Sequence, residues 1–190
     1  TVVVVDERTA PADVAHPPAF APVDAATGVA NVPARLAADQ EFRLEPEKSP
    51  HGPVSILISA ADQRVLVLRN GVEIGRARVV IRDPGSPLGT HAFVMTADHL
   101  DAPHPVSPDG RMERWVAVAM PGHFDEAGRA LSHEAAARIV FPEGFLKAIH
   151  LLLAPGSTMF VTDAPILAEN SASGFTVLSD GPPEETAQNR

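Results

Sequence analysis

The stretch Val54–Ile81, VSILISAADQRVLVLRNGVEIGRARVVI, restricts the fold more than any other part of the chain. Its β-branched runs disfavour helix, and Asn70-Gly71 sits between two of them. Asn-Gly tolerates positive φ at both central positions of a two-residue hairpin, so it marks a tight antiparallel turn. Three strands are expected, over Val54–Ser59, Val65–Arg69 and Val72–Ile81. Val65 and Val67 alternate with Leu66 and Leu68, which gives no polarity contrast. The middle strand is therefore expected to be buried on both faces.

The rest of the chain adds strands and short helices. The Gly/Pro loop RDPGSPLGT feeds a strand at His91–Met95, and an irregular excursion follows up to a strand at Trp115–Met120. Ser132 is placed to cap a short helix running to Arg138, because its hydroxyl accepts from first-turn amides. Pro142 suits the first turn of a second helix, with Phe145, Ile149, Leu152 and Leu153 on one face. Met159–Thr162 and Phe175–Leu178 read as closing strands. The expectation is a mainly β domain over residues 54–180, mostly antiparallel, with one or two packed helices. Residues 1–53, rich in Pro and Ala, read as an extended arm or linker with one helical turn near Ala34–Glu41. Residues 181–190 read as a disordered tail.

Composition narrows the function classes. Net charge is -9, which argues against a nucleic-acid partner and against adsorption to anionic lipid. No run of about 18 apolar residues is present, so no transmembrane segment is expected. The chain contains no cysteine. Disulfides, thiolate metal sites and cysteine nucleophiles are thereby excluded from it.

The order of pieces resembles the catalytic domain of the L,D-transpeptidase (YkuD-type) family. The hairpin signature of that family is matched by Gln63, Val67, Asn70 and Gly71, and its following loop by Ser86-Pro87-Leu88-Gly89 with Phe93. Its late signature is matched by Pro155-Gly156-Ser157-Thr158-Met159-Phe160-Val161-Thr162-Asp163. The match covers roughly residues 54–163. It implies an L,D-transpeptidase-like β-sandwich or barrel, an exported periplasmic protein, and peptidoglycan or an envelope protein complex as partner. It implies no cofactor and no metal.

The family works through a Cys activated by a His, in a Ser-His-Gly-Cys setting followed by Arg. Here the corresponding stretch is LSHEAAARIVFPEGF. Ser132-His133 matches the Ser-His pair, but Glu134-Ala135 stands where Gly-Cys belongs. Arg138 then matches the family Arg after one insertion; aligned backwards from Pro142, it falls instead at the Cys. The upstream His is replaced by Ala119 or Met120, with His123 just beyond. No residue is assigned a catalytic role. Ser132, His133, Arg138 and His123 are the candidate binding residues. The resemblance thus implies a catalytically inactive relative that binds peptidoglycan stem peptides. Two alternatives stay open: an accessory subunit docking on a larger envelope assembly through its N-terminal arm, and an active enzyme with a non-cysteine mechanism.

Three further features carry weaker signals. His99, Asp101 and His104, with Asp98, fit no defensible zinc spacing and read as polar surface. Arg76 and Arg78, if they share a strand face, can take carboxylates. Trp115 reads as core packing.

Overall fold

The computed structural model describes residues 36–104, 107–118 and 131–166. Nine strands are described: β1 Phe42–Leu44, β2 Ser55–Ser59, β3 Arg64–Arg69, β4 Val72–Arg78, β5 Val80–Ile81, β6 His91–His104, β7 Ser107–Val118, β8 Ile139–Val140 and β9 Thr158–Thr162. Two short helices accompany them, α1 His133–Ala137 and α2 Phe145–His150. Seven strands form one mixed sheet in the order β1-β4-β3-β2-β9-β6-β7, and β5 pairs with β8 in a second sheet. The chain is therefore mainly β. Its neighbours are antiparallel except for β2 and β9, which run parallel with Ser55 opposite Thr158 and Ser59 opposite Thr162.

The central hairpin forms where Asn-Gly predicts it. Asn70 and Gly71 take φ of 53° and 78°, the left-handed values a two-residue turn of this hand requires. The Asn70 amide also donates to Ser49 Oγ and the His51 carbonyl, both at 3.1 Å, so the turn is tied to the segment before β2. Val65, Leu66 and Val67 are fully buried and Leu68 nearly so. Their two-sided burial has a simple cause. On one face Val65 and Val67 join Ile56, Ile58, Phe93, Val161 and the α2 residues Phe145 and Ile149. On the other, Leu66 and Leu68 pack with Leu57 and Ile166.

Five expectations are revised. The segment 1–53 is not an arm throughout: Phe42–Leu44 pairs with β4 as an edge strand, and Pro46–Lys48 forms a 3-10 turn. Phe42 reaches the core and sets its ring 5.7 Å from that of Phe145, edge to face, an arrangement that favours ordering the segment. At 34–41 the described residues show a turn rather than a helix. The expected strand Val72–Ile81 divides at Val79, whose amide donates to the Gln63 carbonyl, and β5 leaves to pair with β8. The excursion after Met95 is a long hairpin of β6 and β7, with register shifts that absorb its prolines. Pro142 precedes α2 instead of opening it; Gly144, at φ 78°, is the N-cap. The expected strand Phe175–Leu178, the tail 181–190, the arm up to residue 35 and His123 lie outside the described residues.

Candidate functional site

The loop between β5 and β6 is held by two charged side chains from distant parts of the chain. Arg138 follows α1, where Ser132 caps the helix by accepting from the Ala135 amide at 3.0 Å. From there its guanidinium faces the backbone of the loop. Nε donates to the Arg82 carbonyl at 2.9 Å, and Nη2 donates to the Asp83 carbonyl at 2.7 Å and to the Ser86 carbonyl. Nη1 lies 3.4 Å from the Pro87 carbonyl. A planar fork with five donors suits such a fan of carbonyls, where an ammonium would not. The Arg82 amide returns a bond to the Arg138 carbonyl at 2.9 Å.

Asp163 holds the next residues of the same loop. It stands at the end of β9 and accepts from the Leu88 amide on Oδ1 and from the Gly89 amide on Oδ2, both at 2.8 Å. Gly89 has φ 86°, a left-handed conformation that costs glycine little and other residues more. One loop is therefore fixed through carbonyls by a cation and through amides by an anion. Asp83, at φ 52°, is a non-glycine residue kept left-handed inside the same clamp.

The clamped loop forms a wall of a cleft of about 380 Å³, whose lining includes Ala60, Gln63, Pro84, Gly85, Ser86 and Asp163. Each Asp163 oxygen accepts one loop amide and keeps capacity for a second donor. Gln63, at φ 47°, presents an amide that both donates and accepts. Among the described lining residues there is no imidazole, amine or thiol. That set offers both donors and acceptors to a polar ligand.

The expected site residues separate in the structure. Arg138 meets the Ser86-Pro87 loop, so these two sequence features come together. Its guanidinium is spent on backbone carbonyls, which makes it a support of the loop. Ser132 is exposed and serves as a cap, and His133 is exposed on the first turn of α1. Asp163 was visible only as the last letter of a motif, and its grip on the loop depends on a contact across 75 residues. Gln63 too stands out in the sequence only for its place in the hairpin pattern.

A second polar pair lies elsewhere. Glu113 on β7 approaches His150 in the last turn of α2, with Oε1 and Nδ1 3.0 Å apart, and ties the long hairpin to the helix. Asp98 and Asp101 lie near Arg114 and Arg111 at 4.0 and 3.7 Å. No cluster of three or more metal-ligating side chains occurs among the described residues. No helix of the described residues is long and apolar enough to cross a membrane.

No family model, curated protein or solved structure matches the chain.

Proposed function

We propose that this chain is a catalytically inactive, L,D-transpeptidase-like domain that binds peptidoglycan stem peptides in the periplasm. The observation that carries the reading is the loop Ser86-Pro87-Leu88-Gly89, fixed by Arg138 and Asp163 as one wall of a cleft with peptide-compatible hydrogen-bonding groups. The resemblance places the loop beside the substrate groove of that family. The absence of cysteine removes the family's nucleophile while leaving a surface able to bind. A rigid wall favours binding because little conformational entropy remains to be lost when a ligand docks.

The test is co-sedimentation of the purified chain with isolated sacculi at low and moderate salt. Salt-resistant binding that a soluble stem peptide competes away is the expected result. Arg138→Ala should weaken it by releasing the loop. Failure to sediment, or sedimentation that stem peptide leaves unchanged, would refute the reading.

A further inference from the structure

The outer face of the large sheet carries an apolar row that crosses five strands, and only one end of it is covered. Paired residues lie side by side on one face, and alternate residues along a strand face the same way. Register therefore lines up Leu66 on β3, Leu57 on β2, Phe160 on β9, Ala92 on β6 and Val118 on β7. Beside that row run Thr158, Val94 and Val116. The residues that alternate with them, Phe93, Met159, Trp115 and Ala117, turn to the opposite face and pack with the main core.

At the β3–β2 end the row is closed. Leu66 is fully buried and Leu57 is 4% exposed, and both cluster with Ile166, itself 3% exposed. The Ile166 amide donates to Asp62 Oδ2 at 2.8 Å, which fixes where the chain comes onto this face. At the other end Val116 and Val118 are 43% and 42% exposed. There β7 is the last strand of the sheet among the described residues. Neighbouring exposed apolar side chains, unlike single ones scattered over a surface, mark a place of contact.

We infer that the strip formed by Phe160, Val94, Val116 and Val118 is a docking site for the chain's own segment Phe175–Leu178. Ile166 is the last described residue before that segment, and it already lies on the same face. Beyond Leu167 the large apolar residues are Phe175, Val177 and Leu178, set between polar stretches. From Ile166 to Phe175 is nine steps along the chain, a reach of up to about 30 Å. From β2 to β7 is three strand spacings, about 14 Å. The apolar run Val2–Val5 is the less suitable occupant. It ends 31 positions before Leu36, whose carbonyl accepts from Arg78 on β4, toward the opposite edge of the sheet. Docking of Phe175 and Val177 on the exposed valines takes apolar surface of both partners out of water. The strip is separate from the Asp163 cleft, and the inference is independent of peptidoglycan binding.

The chain has no cysteine, so introduced pairs of cysteines report the contact without background. In the full chain, Val116→Cys with Val177→Cys should close an intramolecular disulfide under mild oxidation, because docking brings the two within the short separation such a bond needs. Val80→Cys with Val177→Cys is the control, since Val80 is 58% exposed on β5 in the other sheet. It should close about tenfold more slowly or less, as only the undocked segment can reach it. Adding Phe175→Ser to the Val116 pair should slow its closure severalfold by removing the largest apolar group of the segment. The inference is overturned if the Val116 pair closes no faster than the control, or if Phe175→Ser leaves its rate unchanged. Disulfide-linked dimers in place of the internal bond would overturn it too, and would assign the strip to a second copy of the chain.

Discussion

Replacing Arg138 by Ala removes three hydrogen bonds to loop carbonyls, from Nε to Arg82 and from Nη2 to Asp83 and Ser86, and a marginal fourth to Pro87. A hydrogen bond from a charged group contributes about 1.5–3 kcal/mol when water is excluded. Arg138 is only half-buried, so water replaces part of each loss. Allowing roughly 0.5–1 kcal/mol for each of the first three bonds gives about 1.5–3 kcal/mol in total. For a domain of this size 1 kcal/mol moves Tm by roughly 3–4 °C, so a fall of about 5–12 °C is expected. The loss should also be local. Amide exchange at Arg82 and Ser86 should accelerate well before that of β3, since their amides bond to the Arg138 and Asp83 carbonyls within the clamp. Arg138→Lys should recover little, because a single ammonium cannot span the fan of acceptors. The two readouts are thermal unfolding followed by circular dichroism and native-state hydrogen exchange. An Arg138→Ala protein with Tm unchanged within about 1 °C, and with unaltered exchange across residues 82–89, would refute the clamp.

Asp163→Ala leaves the Leu88 and Gly89 amides without their acceptor; a destabilisation of about 2–4 kcal/mol is expected in urea unfolding. A midpoint equal to that of the parent would show that water satisfies both amides. The hydrogen bond from Lys48, helped by the nearby Arg43 and Arg76 charges, holds the Glu45 carboxyl below its usual range. A carboxyl lowered on folding contributes stability above its unfolded pKa, near 4.3, and loses it as pH falls through the folded value. Glu45→Gln should therefore be slightly less stable than the parent at pH 7, and the gap should close below the usual carboxylate range. Because the group is still partly solvated, a gap of only a few tenths of a kcal/mol is expected. A gap that stayed constant down to strongly acidic pH would contradict the assignment.

Much of the sheet was readable where local chemistry decides geometry. Asn70-Gly71 fixes its own turn, and the unbroken apolar run from Val65 to Leu68 announces a strand covered on both faces. The division at Val79 was not readable, because no turn residue marks it; the Gln63 carbonyl captures its amide from another strand. The β6–β7 hairpin was obscured by Pro103, Pro105 and Pro108, which read as breakers when met in sequence. Pro103 is nevertheless paired, opposite Arg111, with register shifts on either side of it that only the partner strand defines. The site shows the same division. Ser132 was legible as a cap because its acceptor role is served three residues away. Arg138 was legible as a residue of interest but not as a clamp, since its partners are backbone carbonyls with no sequence mark. The apolar row from Leu66 to Val118 required the register itself.

The parallel pairing of β2 with β9 has a consequence for the order in which the protein can be made. Ser55 and its partner Thr158 are separated by 103 residues, whereas β3 and β4 follow β2 almost at once. At a synthesis rate of about 5–20 residues per second, the β2–β3–β4 meander emerges roughly 4–16 s before β9 does. Throughout that interval one edge of a strand as apolar as Ser-Ile-Leu-Ile-Ser lacks its native neighbour. Such an edge is a template for pairing with other chains. A nascent chain stalled before residue 158 should therefore depend on chaperones more than the finished protein does.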